Sequence, residues 1–528
     1  MKKSVFFLFS VLMALLWSCC KEQPAQFANV FGDHMVLQRD RPVPVWGTAK
    51  PGAKVTVLWQ GEKMGTKAGK DGQWRLELPA TPAGGPYTLS ANGTEIDDIL
   101  VGDVFLCSGQ SNMELPVDRC LDAVEDEIKG YANTQVRYLF VPTAYSFDGP
   151  LDHLPPCRWE VLDSDKTGLS WSAVCYFTAR YLQEETGVPV GMINVSVGGS
   201  PIESWLREDV LGDYALAELN HLREPGVLDS INAFNARLYV DWQNKHNALP
   251  APKGAKWHPA DVFNTNAWAK DSKGEIIYGS HFLRRNFTLK KGQTGPAKLR
   301  LGAMVDADST FINGQYVGNT TYMYPPRNYQ VPDGMLKEGQ NTLEVHLYAC
   351  GGGNPAHFVP DKEYCLETAG GKVSLLGGWE HRPGKRMPAR ESEIFVRWKP
   401  VGLYNGMEAP LKDYAFSGFI WYQGESNTGN AADYGNLLET LVRTRREELN
   451  TPDLPFYIIE LAAFEHSELT DTDWGWNRVQ KEQRRTAEKV EGVYCVPNAD
   501  LGEWNDIHPQ DKATLGKRIV KTILESRQ

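Results

Sequence analysis

Residues 98–116 read DILVGDVFLCSGQSNMELP, an apolar run that breaks into Gly109-Gln110-Ser111-Asn112. A short apolar run of this kind reads as an extended, buried segment. A turn of small and polar residues at its end is where α/β enzymes present a reactive side chain, because the sheet holds the turn still while leaving it open. Ser111 is therefore the first candidate for chemistry.

Working outward, the stretch divides two kinds of sequence. Upstream, in 27–100, MVLQ, PVPVWG, KVTVLW, QWRLELP and YTLSA are short β-like runs separated by Gly, Pro, Asp and Asn. That spacing predicts a small N-terminal β-sandwich. Downstream, in 101–250, apolar strands alternate with helical patterns: GDVFLC, WSAVCYFTARYLQEET, VPVGMINVSV and IESWLREDVL. This order predicts βαβ units and a parallel sheet covered by helices.

Residues 251–400 turn β-like again, with FLRRNFTL, AKLRLGAM, DSTFINGQYVGNT and NTLEVHLYA. The βα alternation resumes in 401–528, from FSGFIWYQ through PFYIIEL and GVYCV to the closing helix KATLGKRIVKTILESR. One α/β domain is thus expected in two pieces, 101–250 and 401–528, around an inserted second β-sandwich.

The chain has 528 residues, enough for several domains at ~150 residues each, and a formal charge of −11. That balance excludes the basic stripe of a nucleic-acid surface. The first residues, MKKSVFFLFSVLMALLWSCC, have the layout of an export signal over 1–19, and Leu16-Trp17-Ser18-Cys19 resembles a lipoprotein cleavage box, with Cys19 as the lipid acceptor. The expected location is periplasmic or at the cell surface, with no membrane contact beyond that anchor. Of the nine cysteines, Cys19 and Cys20 belong to the signal region, which leaves seven. In an oxidising compartment Cys120–Cys157 and Cys350–Cys365 are candidate disulfides, although sequence does not give connectivity. No C-x-x-C or H-E-x-x-H spacing is present, so no metal site is expected.

Ester cleavage needs a hydroxyl, a base and donors aimed at the developing oxyanion. There is no G-x-S-x-G elbow. Instead four polar clusters each follow a predicted strand: Gly109-Gln110-Ser111-Asn112-Met113, Val197-Gly198-Gly199-Ser200-Pro201, Tyr422-Gln423-Gly424-Glu425-Ser426-Asn427, and Asn505-Asp506-Ile507-His508-Pro509. In a parallel sheet such ends share one edge.

In this order the clusters resemble the blocks of the SGNH hydrolase superfamily, and CSGQSNM, GGSPIESW, WYQGESN and DIHP are similar to the sialate O-acetylesterase family. The resemblance covers almost the whole chain after the signal region. It implies a three-layer, flavodoxin-like parallel sheet with an N-terminal sandwich and an inserted jelly-roll or galactose-binding-like sandwich. It implies Ser111 as nucleophile, His508 as base, and an oxyanion hole from the N–H groups of Ser111 and of Gly198 or Gly199 with the Gln423 amide. Asn427 is the rival for that amide role, and Glu425 orients neighbours. The superfamily pattern D-x-x-H has Asn505 where an aspartate is usual. The partner of the imidazole is therefore Asp506, the Asn505 oxygen or a main-chain carbonyl, with Asp506 the first choice. Trp205, Trp421, Tyr422 and Trp504 are candidates for stacking on a sugar, against core packing as the plain alternative.

The implied reaction is hydrolysis of O-acetyl esters on sialic acid without a cofactor. Acetylated xylan or another plant glycan is the alternative substrate. A non-catalytic glycan-binding lipoprotein is the alternative of another class.

Overall fold

The computed structural model describes residues 24–246, 253–465 and 474–528. The expected signal segment and Cys19 lie outside the described residues. The protein is a mixed α/β structure with several sheets. Contacts divide it into two units. The first holds the residues up to Arg223, Arg397–Gly502 and Pro509–Gln528; the second holds Glu224–Val396 with Glu503–His508.

In the first unit the organising strand is β1, Thr94–Gly109, whose last eleven residues are all buried. It is followed by β2 (Asn133–Phe140), β3 (Trp159–Leu162), β4 (Val190–Asn194), β5 (Gly418–Tyr422), β6 (Phe456–Ile459) and β7 (Val493–Val496). Their order in the sheet is β3-β2-β4-β1-β5-β6-β7. All neighbours are parallel except β3 with β2. β4 (VGMIN), β5 (GFIWY) and β6 (FYII) are buried at every position, as strands covered on both faces require.

Helices begin and end where the sequence supplies caps. Helix α1 (Ser111–Glu114) follows β1 directly. Helix α2 (Ala173–Thr186) starts at Ser172, whose hydroxyl accepts the Cys175 N–H, and stops at Gly187 in the left-handed region. Helices α3 (Tyr434–Glu448) and α4 (Gly475–Lys489) precede α5 (Lys512–Glu525), which Asp511 caps by accepting the Thr514 N–H at 2.9 Å. Among the described residues no helix is long and apolar enough to cross a membrane.

The expected boundary at 100/101 falls inside β1. The first half of that strand pairs with Gly84–Ala91 and Val36–Gln38, and the second half with β4 and β5. A single strand thus serves both the N-terminal strands and the parallel sheet.

The second unit begins at Glu224 rather than near 251, because it takes in the helix Val227–His246. Its antiparallel six-stranded sheet runs in the order His258–Ala260, Trp379–Arg386, Gly279–Leu289, Gly339–Ala349, Ala307–Ile312, Gln315–Thr320. A four-stranded sheet contains Ala297–Leu301 and Tyr364–Thr368. Leu283, Leu343, Val345 and Leu347 from the first sheet share one core with Leu299, Leu301 and Leu366 from the second. Among the described residues no disulfide forms, so neither Cys120–Cys157 nor Cys350–Cys365 is made. Cys350 follows a strand of the six-stranded sheet and Cys365 sits in the other sheet, while the Cys157 thiol bonds to the Asn29 carbonyl at 3.3 Å.

Candidate active site

Gly109 ends β1 with φ of +139°, and a Cβ there would stand 2.1 Å from the Tyr422 carbonyl oxygen. Only glycine allows the ends of β1 and β5 to meet this closely. The next residue, Gln110, donates its backbone N–H to that carbonyl at 3.0 Å, and Ser111 opens α1, half-buried.

The second cluster lies against the first. Val197 donates its N–H to the Gly109 carbonyl at 3.1 Å, and a methyl on Gly198 would be 3.5 Å from the Ser111 Cβ. Gly198 and Ser111 are therefore neighbours. The Gly198 N–H is taken by the Glu114 carboxylate (Oε2, 2.6 Å), one helical turn beyond Ser111. Burial pushes the Glu114 carboxyl up; the Gly198 N–H and the charges of Arg397 and Arg119 oppose that. Gly199 takes φ of +76°, and a Cβ on it would overlap the Trp398 ring. Trp398 in turn donates Nε1–H to the Gly198 carbonyl at 2.7 Å, which fixes the glycine turn from outside.

The third cluster joins the same edge. The Ser426 hydroxyl donates to the Gly199 carbonyl at 2.9 Å, and the Ser426 N–H donates to Gln110 Oε1 at 3.1 Å. Gln423 is fully buried, and its NH2 faces three acceptors: Asn427 Oδ1 (2.7 Å), Gln110 Oε1 (3.2 Å) and the Ser200 carbonyl (3.2 Å). Backbone donors settle the neighbouring amides, since Ile202 N–H gives to Asn427 Oδ1 and Ser426 N–H to Gln110 Oε1. The Gln423 NH2 is thus turned to internal acceptors, and its carbonyl oxygen is buried with no partner among the described residues. Asn427 gives its own NH2 to Glu203 at 2.9 Å.

Beneath Ser111 runs a buried chain of opposite charges bridged by an amide. Lys512 donates to Asn112 Oδ1 at 2.8 Å, and Asn112 donates to Glu425 Oε1 at 2.7 Å. Burial pushes the Glu425 carboxyl up, against the pull of Asn112 and Lys512. The Lys512 ammonium also sits 5.2 Å from the Tyr422 ring centre.

The fourth cluster belongs to the second unit. The Asp506 carboxylate accepts the His508 backbone N–H at 2.9 Å and meets Lys362 at 3.1 Å, while it lies 4.0 Å from His508 Nδ1, beyond hydrogen-bond reach. Lys362 is also held by Glu503; burial opposes its charge, and the two carboxylates more than offset this, raising its pKa. The Asn505 amide donates to the Pro360 carbonyl at 2.7 Å, and Tyr324 meets the His508 ring edge-on at 5.0 Å.

The aromatic candidates separate by burial. Trp205, Trp421 and Tyr422 have no exposed surface, and Trp205 packs edge-on against Trp421, so these three are core and cannot stack on a sugar. Trp504 is 54% exposed. Glu114, Gln110 and Lys512 were missed from sequence. Glu114 had a signal in its spacing of three from Ser111; Trp398 and Lys362 had none. Among the described residues, Glu363, Cys365 and Glu367 come close enough to hold a metal ion, but Lys372 and Arg300 already match the two carboxylates.

Residues 394–525 match the carbohydrate esterase family described as sialic acid-specific acetylesterase. The sialate O-acetylesterase of Rattus norvegicus is 32% identical over 211 residues, covering 34% of this chain and 37% of the relative. That of Homo sapiens is 34% identical over 202 residues, covering 34% and 38%. The matches therefore span little more than a third of these relatives' length. A carbohydrate acetylesterase structure from Xanthomonas citri shares the fold, with a TM-score of 0.55 and 23% identity over 94% of this chain and 74% of that one. Over residues 394–525 the chain is thus similar to the carbohydrate esterases described as sialic acid-specific acetylesterases.

Proposed function

We propose that this protein is a serine esterase that removes O-acetyl groups from glycans, with O-acetylated sialic acid as its substrate. The observation that carries the reading is the meeting of Ser111 with the Gly198–Gly199 turn at the end of β1, in a chain with a family match over 394–525. Ser111 Oγ attacks the acetyl carbonyl and passes its proton to His508, and the π electrons move onto the carbonyl oxygen. Collapse expels the sugar oxygen, which takes the proton from His508, and water then releases acetate from Ser111 by the same steps. Ser111 N–H and a glycine N–H face the oxyanion. Gly199 suits this role better than Gly198, whose N–H Glu114 already occupies.

Asp506 serves His508 through charge and through the loop it fixes, since its direct hydrogen bond goes to the His508 main chain. Trp504 is the remaining aromatic for a sugar face. The reaction so written uses no cofactor.

The parallel sheet with its helices is read as the three-layer SGNH arrangement, with β-sandwiches at 27–100 and in the insertion. The lysines and apolar run of residues 1–19 support export, with Cys19 as a lipid anchor.

Release of 4-nitrophenol from 4-nitrophenyl acetate tests the chemistry. Ser111→Ala is expected to lower kcat at least about 1,000-fold and His508→Ala similarly; equal background rates in wild type and Ser111→Ala would leave a glycan-binding protein instead. Acetate release from O-acetylated sialic acid set against acetylated xylo-oligosaccharides tests the substrate, and faster turnover of the xylo-oligosaccharides would reassign it.

A further inference from the structure

We propose that Gln110, the residue immediately before the nucleophile, supplies the side-chain hydrogen-bond donor of the oxyanion hole. The proposal rests on the hydrolase reading of Ser111 given above. Two side-chain amides sit at this edge, and the structure distinguishes their orientations. Gln423 directs its NH2 to Asn427, Gln110 and the Ser200 carbonyl, so its hydrogens are engaged within the protein.

Gln110 is arranged the opposite way. Its oxygen accepts the Ser426 N–H at 3.1 Å, the Gln423 NH2 at 3.2 Å and, more weakly, the Gly424 N–H at 3.5 Å. A carboxamide is planar, so three donors on Oε1 also fix where Nε2 stands. Gln110 as a residue is only 2% exposed; among the described residues its Nε2 donates to no protein acceptor, yet it is not one of the fully buried polar atoms left without a partner, so that nitrogen keeps some access from outside. An amide NH2 that no protein acceptor engages is available to an incoming oxygen. A substrate oxygen that becomes negative during the reaction would satisfy it at the moment when the bond is strongest.

Position supports the same assignment. Ser426, which bonds Gln110 Oε1, also bonds the Gly199 carbonyl, and Gly198 abuts Ser111. The amide thus belongs to the ring of groups formed by Ser111, the glycine turn and Ser426. When Ser111 Oγ adds to the carbonyl carbon, the electron pair on the former carbonyl oxygen accepts a hydrogen bond from Nε2–H. No proton is transferred to it, and the C=O reforms when the leaving oxygen departs.

The test compares Gln110→Glu, Gln110→Met and Gln423→Met with wild type and Ser111→Ala on 4-nitrophenyl acetate. Gln110→Glu keeps the acceptor for Ser426 and removes the donor; Gln110→Met removes both without adding charge. Both are expected to lose about 100- to 1,000-fold in kcat, the loss typical of one oxyanion donor, with KM within about threefold. Their inhibition by butaneboronic acid, which forms a tetrahedral anion on serine, should weaken in parallel. Gln423→Met should lose thermal stability and keep kcat within about tenfold. A folded Gln110→Met enzyme with kcat within about fivefold of wild type, or a larger kcat loss in Gln423→Met than in both Gln110 variants, overturns the proposal and leaves the hydrolase reading standing. A wild-type rate no higher than that of Ser111→Ala overturns both.

Discussion

Acidification should weaken the second unit through two buried histidines. His281 Nε2 donates to the Ile277 carbonyl at 2.9 Å, which leaves Nδ1 as the acceptor for His381 Nε2–H at 3.2 Å. Burial pushes His281 down to about 4. Burial, with the neighbouring rings of His281 and His258, pushes His381 down to about 3. In the unfolded chain both titrate near 6.5, so below that pH the unfolded state binds protons that the folded pair refuses. Stability from this source is complete above 6.5 and falls as the pH drops towards 4. At pH 4.5, two pH units below 6.5, the loss is about 2.7 kcal/mol per ring and about 5 kcal/mol for the pair. Urea unfolding at pH 7 and pH 4.5, followed by tryptophan fluorescence, measures it, and Trp268 reports locally from 5.3 Å and 4.9 Å ring separations. Carboxylates add their own acid dependence, so the decisive comparison is with His381→Gln, which keeps a donor to His281 and removes one titration. That variant should lose about 2.7 kcal/mol less than wild type between the two pH values. Equal losses would refute the reasoning.

Two further outcomes concern the first unit. Asn112→Leu separates Lys512 from Glu425 and removes two hydrogen bonds to buried charged groups, which should cost about 3–6 kcal/mol at about 1.5–3 kcal/mol each; urea unfolding at pH 7 would show this, and a loss below about 1 kcal/mol would mean the chain of charges is not coupled through that amide. Gly109→Ala places a methyl against the Tyr422 carbonyl in a backbone conformation that alanine rarely adopts, so the protein should lose several degrees in melting temperature or fail to accumulate as soluble material, as thermal scans and expression yields would reveal.

The alternation of apolar strands with helical patterns was legible because strands buried on both faces, such as GFIWY and PFYIIEL, leave a continuous apolar signature. The ends of β1, β4 and β5 were legible for the related reason that a turn of glycine and small polar residues has few other causes. The reach of β1 across the expected 100/101 boundary was not, because hydrogen-bond partners change along a strand without any change in its composition. The aromatic residues illustrate the same limit: Trp421 and Trp504 are alike as letters, and only the packing of the surrounding sheet makes one core and the other surface. The contrast between Gln110 and Gln423 was invisible for a sharper reason. Both are glutamines in polar clusters, and what separates them is that the Gln110 oxygen accepts a backbone N–H whereas the Gln423 NH2 donates to a backbone carbonyl.

The long strand β1 also makes the N-terminal segment a splint for Ser111. Val36–Gln38 and Gly84–Ala91 brace the same ribbon that carries Ser111 at its far tip. Clipping away the residues before Thr94 would leave that ribbon with naked edges along half its length, so a protein cut at this apparent border should be sticky and poorly folded rather than a trimmed but intact domain.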